Sequence, residues 1–336
     1  MPIFNDLHIN KALTNISVAY IQNTSVFIAD RVFPRIPVDF QSDKYFIYEP
    51  TQYLIDDVQK VAPGGEAPLI DFTVKSRDAY SCDVMKLADK IPVENLSNQD
   101  TPLDIEMDSA RLLAQKMLLH KEIRFAKTFL VPGVWGTDLK GSDKGDFVNT
   151  LTKWDKPNST PIEDIEILKE KMQIETAQRF NTAVITRPIY RAWKNHPEIL
   201  SRILYKAGDN PAIITQQLMA SVFDLDNIFV MDAIYNPGKE GKPGENEFIG
   251  GKSALLCYVP PSPGLRTPAS GYTFCWTKLM EKMNGGRSVS KVGVGDFGLK
   301  QYWDERTSSY FNEAWMSYDQ RIIGKNLGIF LQDIVS

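Results

Sequence analysis

TPLDIEMDSARLLAQKMLLHKEIRFAKTFL, residues 101–130, is the stretch on which the fold turns. Thr101 is a suitable N-cap, Pro102 fits the first helical position, and Asp104 and Glu106 favour the positive end of a helix. Leu103, Met107, Ala110, Ala114 and Met117 recur at helical spacing. After a small phase shift, Leu119, Ile123, Ala126 and Leu130 continue the stripe, and Pro132-Gly133 stops it. One helix of roughly 45 Å is expected at about 1.5 Å per residue, well above the usual helix length.

Upstream, residues 44–49 are aromatic and β-branched and residues 71–80 alternate in part, so each predicts a strand. The polar stretch between them carries Pro63-Gly64-Gly65 and Pro68. Together they predict an elongated hairpin with a wide tip, and a two-stranded hairpin is marginal by itself in water. Residues 1–34 read as an extended arm with some short helix, because Ile16, Val18, Ile21, Val26, Phe27 and Ile28 follow no single period. An arm of this kind needs a second body to lie on, either its own domain or a sister copy.

Downstream, residues 133–159 are rich in Gly and Asp. Thr160-Pro161-Ile162-Glu163 has the capping-box pattern, and Ile162, Ile165, Leu168 and Met172 mark the buried face of the helix it opens. Residues 182–186 predict a buried strand. Helices are expected around 188–195, 198–205 and 215–223, and strands at 227–231, 252–259, 272–276, 310–318 and 328–331. The class is α+β, with no internal repeat.

The composition narrows the functions open to the chain. Of 336 residues, 43% are hydrophobic and 24% charged, ordinary values for a globular protein. No apolar run approaches the roughly 20 residues of a membrane helix, and the N-terminus has no signal-peptide pattern. Three cysteines, an odd number outside any C-x-x-C, fit a reduced compartment. A formal net charge of −4 without a basic stripe leaves room only for weak, nonspecific contact with nucleic acid.

No motif nominates an enzyme. Gly293 to Gly298 fits G-x-G-x-x-G and ends in Asp296-Phe297-Gly298, but too little chain follows for a βαβ unit and no H-R-D loop exists, so a glycine-rich turn is expected. His8, His120 and His196 have no metal-ligand spacing. His196, before Pro197, is expected at a helix end. Cys82, Cys257 and Cys275 read as core residues, and Asp224-Leu225-Asp226-Asn227 as a turn rather than a calcium loop. Catalytic, cofactor-binding and metal-binding residues are therefore expected to be absent.

The order of parts resembles the tailed-phage major capsid family with the Hong Kong 97-like fold. Tyr45 to Tyr48, Pro63 to Pro68 and Tyr80-Ser81-Cys82 resemble its E-loop and the approach to its spine helix. Thr182 to Thr186 followed by Trp193-Lys194-Asn195-His196-Pro197, and Gln216-Gln217-Leu218 followed by Val222-Phe223, Ile228-Phe229-Val230 and Tyr235-Asn236, resemble its axial domain. Gly328 to Leu331 resembles its final peripheral-domain strand. The resemblance covers nearly the whole chain.

It implies an N-arm at 1–34, an E-loop at 35–82, a spine helix and peripheral (P) domain at 83–185, an axial (A) domain at 186–300 and a return to the P domain at 301–336. It implies self-assembly into pentamers and hexamers of an icosahedral head around double-stranded DNA, with a portal at one vertex. The E-loop strand starts so early that the scaffold would be a separate protein or none, and a decoration protein is compatible. The chain would assemble in the host cytoplasm and end in the virion. Phe27, Tyr45, Phe46, Tyr48 and Tyr53 are the candidate inter-subunit contacts, since a projecting loop has little core of its own to fill. The aromatics Tyr302, Trp303, Tyr310, Phe311, Trp315 and Tyr318 are expected in the P-domain core. An encapsulin-like compartment shell and an α+β enzyme remain the alternatives.

Overall fold

The computed structural model describes residues 22–47, 54–69, 75–98, 104–207, 215–238, 244–264, 267–279 and 297–336. Its centre is a mixed six-stranded sheet. The strands are β5 (Thr137–Ser142), β6 (Thr150–Thr152), β7 (Thr182–Thr186), β8 (Asn227–Met231), β11 (Ala254–Cys257) and β15 (Gly328–Gln332). They lie in the order β6-β5-β15-β11-β7-β8.

The two-residue period of a strand divides this sheet between two cores. Ala183 and Ile185 of β7, Ala254 and Leu256 of β11, and Ile329 and Leu331 of β15 point to one side. There they meet α4 (Pro161–Thr176), α5 (Arg187–Asn195), α6 (Pro197–Ala207) and α7 (Gln216–Val222). Val184, Leu255, Cys257 and Phe330 point to the other side. The pairing register keeps these sets aligned, with Leu255 opposite both Val184 and Phe330. Because both faces are covered, β7 and β11 are buried at every position.

The second core is closed by the long helix α3 (Ile105–Phe129) and by α1 (Ala29–Val32). Phe33 follows α1 and packs on Phe125, Phe129 and Trp135, with ring centroids 5.1, 4.7 and 6.3 Å away. The Trp135 indole N–H donates to the Phe129 carbonyl at 2.8 Å, satisfying one of the last free carbonyls of α3. Its ring lies over Gly328, where any Cβ would sit 2.1 Å from it.

The N-terminal half of α3 crosses a five-stranded sheet. Its long strand is β14 (Ser309–Ile322), which pairs along one edge with β12 (Gly271–Trp276) and then β13 (Gly298–Asp304), and along the other with β4 (Asp83–Pro92). β1 (Arg35–Val38) adds in parallel to β12. Leu113 and Met117 of α3 pack on Ala314, Met316 and Tyr318. Two small sheets stand apart: the hairpin β2 (Ser42–Ile47) with β3 (Lys75–Ser81), and β9 (Ile234–Tyr235) with β10 (Glu247–Phe248). A short α2 (Val93–Ser97) follows β4.

Several expectations need correction. The long helix begins at Ile105, capped by the Asp104 carboxylate accepting from the Met107 N–H at 2.9 Å. The expected cap Thr101 lies outside the described residues. The buried stripe runs through Leu113, Met117, Leu118, Lys121, Glu122, Phe125 and Phe129, whereas Met107 is half exposed. The stripe was misphased because Lys121 and Glu122, charged residues, occupy its centre. Thr160 caps α4 without a side-chain bond to its amides, its hydroxyl donating to Asp164 at 3.4 Å instead.

Arm character does not extend to residue 34. Ile28, Val32 and Phe33 are fully buried in the chain's own core. The boundaries at 185 and 300 cut across the sheets, since β5, β6 and β7 share a sheet with β8 and β11. β15 belongs to that sheet too, and not to the one holding β14. Tyr302 and Trp303 are exposed on the sheet-edge strand β13 rather than in a core.

Candidate assembly surfaces

The hairpin β2–β3 has a firm base and a bare tip. At the base, Tyr45 and Tyr80 both stack on Phe274, at 5.5 and 4.6 Å. The Tyr45 hydroxyl donates to the Ile322 carbonyl at 3.4 Å. Burial, reinforced by Asp78, pushes that hydroxyl up to about 12. Asp319 accepts from the Ser81 N–H at 2.9 Å and from Arg321 Nε at 2.7 Å, tying β3 to β14. Toward the tip, residues 54–69 keep their apolar side chains in solvent: Ile55 is 63% exposed, Val58 89% and Leu69 99%.

The candidate contacts fare differently. Tyr45 is part-buried in the intramolecular stack on Phe274. Phe27 is half-buried where the chain enters α1. Phe46 lies on β2, and Tyr48 and Tyr53 fall outside the described residues. Among the described residues 54–69, the exposed large apolar side chains are aliphatic: Leu54, Ile55, Val58, Val61 and Leu69. A second exposed set, Leu299, Tyr302 and Trp303, lies on β13, where Tyr302 stacks on Phe311 at 5.4 Å and Trp303 meets Tyr310 at 4.8 Å.

The serine–histidine contact between Ser159 and His196 has the distance of a catalytic pair, 3.0 Å from Oγ to Nε2. Its hydrogen bonds point the wrong way for a nucleophile. His196 Nδ1 accepts from the Glu198 N–H at 3.3 Å, which leaves the proton on Nε2 to donate to Ser159. The Ser159 hydroxyl in turn donates to the Lys156 carbonyl at 2.7 Å. Burial lowers the His196 pKa, consistent with a neutral ring. The pair is a helix-end brace before α6, as expected for His196. It borders an open cleft of about 460 Å³ lined by Trp154, Arg191, Asn195 and Val335.

Cys82 and Cys257 are buried, and burial pushes both thiols up to about 12, so neither is a nucleophile at neutral pH. No group of three His, Cys, Asp or Glu side chains that could hold a metal occurs among the described residues. No helix among them is long and apolar enough to cross a membrane. Asp224 to Asn227 forms the turn between α7 and β8, with Asp224 at φ 50° and its carbonyl accepting from Lys169 Nζ at 2.9 Å. Of the glycine-rich motif, only Phe297 and Gly298 are described, Gly298 opening β13 beneath Trp315.

No family profile matches the chain. Two curated proteins do. The major capsid protein of Burkholderia phage BcepMu is 24% identical over 278 residues, 79% of this chain and 82% of that protein. The major capsid protein of Pseudomonas phage JBD67 is 24% identical over 238 residues, 71% of this chain and 72% of that one. Among solved structures, a phage-related protein from Bordetella bronchiseptica RB50 superposes with a TM-score of 0.66 at 21% identity, covering 93% of this chain and 94% of that one. The capsid of cyanophage P-SCSP1u gives 0.59 at 12%, covering 97% and 93%. The SrpI encapsulin of Synechococcus elongatus PCC 7942 gives 0.52 at 11%, covering 97% and 94%.

The fold is the Hong Kong 97-like one, a mixed α+β fold shared with capsid and encapsulin structures. Over more than two thirds of its length the chain is similar in sequence to the major capsid proteins of two phages.

Proposed function

We propose that this chain closes an icosahedral head from hexamers and pentamers of itself, with double-stranded DNA packed inside. In this reading α3 is the spine helix, and the five-stranded sheet beneath it forms the P domain. The six-stranded sheet with α4 to α7 forms the A domain, and residues 42–81 form the E-loop. The arm role is assigned to residues before Gln22, which lie outside the described residues. A portal occupies one vertex, and scaffolding and decoration proteins, where used, are separate chains.

The observation that carries the reading is the tip of the hairpin. Val58 and Leu69 have almost no contact within their own chain. Apolar burial gives about 25 cal/mol per Å², so each gains on meeting a sister copy. Many such weak contacts act together once a shell closes. The net charge of −4 suits a DNA contact that is nonspecific and local.

The test is electron microscopy of the purified full-length chain, alone or with its scaffold, followed by assay of particle contents. Closed shells packaging nucleic acid are expected. Closed shells filled with a cargo enzyme would favour an encapsulin-like compartment, whose fold is shared. A stable monomer with a bound small molecule would contradict both. Truncation should stop at residue 21, because removing residues to 30 would also delete Ile28 and Ala29 from the core. Chains lacking residues 1–21 are expected to remain soluble and folded but to leave shells open.

A further inference from the structure

We propose that Glu122 and Lys121 form a clasp that fixes the course of residues 22–33 and so the direction of the backbone at Gln22. The inference rests on the assembly reading above, in which the residues before Gln22 reach sister copies.

The helix α1 is four residues long, and Ile28 at its N-cap position has no capping side chain. Its first amides are buried and would lack acceptors. Glu122, far along the chain in α3, supplies the missing acceptor. Its Oε2 receives the Ile28 N–H at 3.0 Å and the Ala29 N–H at 2.9 Å. The neighbouring Lys121 ion-pairs with Asp30, and its ammonium lies 4.9 Å from the centre of the Tyr318 ring. Glu122 is fully buried and Lys121 nearly so.

A third pin holds the other end of the segment. The Gln22 side-chain amide donates to the Ile234 carbonyl at 2.7 Å and accepts from the Ile234 N–H at 3.1 Å. It imitates a strand pair on β9. Residues 22–33 are thus fixed to α3 at one end and to β9 at the other.

Stability alone does not explain this arrangement. Apolar residues in place of a buried ion pair are often as stable or more so. Ile28, Val32 and Phe33 already supply burial, but burial is non-directional. Hydrogen bonds and a charge pair are directional and admit one register. Glu122 and Lys121 are therefore positioning residues: they leave the backbone at Gln22 aimed along β9.

The experiment compares Glu122→Leu, Glu122→Gln and Gln22→Ala in the full-length chain, with hydrogen exchange on unassembled subunits and microscopy of assembled particles. In Glu122→Leu, amides 28–33 are expected to exchange about tenfold faster or more, while β7 and β11 keep their protection. Its particles should be open or irregular although the subunits are folded. Glu122→Gln keeps an acceptor and should largely restore both readouts. Gln22→Ala removes an exposed pin that folding does not need, so it serves even where Glu122→Leu fails to fold, and it should give irregular particles. Unchanged exchange at 28–33 in Glu122→Leu would overturn the clasp. Uniform closed particles from Glu122→Leu or Gln22→Ala would overturn the positioning role. Both differ from failure of the assembly reading, in which the unmodified chain forms no shells.

Discussion

Residues 22–33 and residues 54–69 lie close together in sequence and carry similar apolar side chains, yet they meet opposite fates. In the first, Ile28, Val32 and Phe33 turn inward and complete the core between the six-stranded sheet and α3. In the second, Ile55, Val58 and Leu69 stand in solvent. The difference is one of available walls. The first segment passes over α3 and is held there by Glu122 and Lys121. The second lies beyond the Phe274 stack at the hairpin base, where the described residues leave Ile55, Val58 and Leu69 uncovered. One front-end segment therefore stabilises the subunit, and the proposed contact with sister copies falls to the other.

Substitutions should separate these roles. The largest effect on the subunit is expected from Phe33→Ala, which leaves a cavity among Phe125, Phe129 and Trp135. It should cost about 3–5 kcal/mol in a denaturant titration of unassembled protein.

The next is a pH effect through Glu122. Burial raises its pKa from 4.5 to about 7, against the lowering effect of the Ala29 and Ile28 amides, with Asp30 and Arg31 nearby. The folded-state value lies above the unfolded one. Its stabilising contribution is thus complete below pH 4.5 and lost as pH rises through about 7. The loss is on the order of 2–3 kcal/mol. Asp164, raised to about 6 by burial, acts in the same direction. The slope that disappears in Glu122→Gln isolates the Glu122 share.

Tyr45→Phe removes a long hydrogen bond but keeps the stack on Phe274, so a cost of about 0.5 kcal/mol or less is expected in the same titration. The smallest stability change belongs to Leu69→Ser, within about 0.5 kcal/mol, since Leu69 touches almost nothing in its own chain.

Much of this architecture is legible in the sequence. The strands at 182–186 and 227–231 and the helices at 187–195 and 216–222 lie within a residue or two of their expected places, because caps, prolines and unbroken apolar runs signal them locally. What was not legible depends on distant partners. β4 carries Asp83, Lys86, Asp89 and Lys90 and gives no strand signal, yet β14 pairs with it along its whole length. The buried face of α3 includes Lys121 and Glu122, which no hydropathy stripe would choose. Phe27 to Phe33 read as arm because their wall, α3, is nearly a hundred residues away in sequence. Tyr302 and Trp303 look like core residues until their strand proves to be a sheet edge. In the hairpin, the paired strands are legible but the exposed side chains are not, since exposure depends on where the folded body stops.

The double substitution Val58→Asp with Leu69→Asp tests the assembly role of the hairpin tip most directly, read by circular dichroism of the subunit and electron microscopy of its products. The expected result is a subunit with unchanged spectrum and melting temperature that forms no closed shells. Closed shells of normal size and yield from the doubly charged tip would contradict the account.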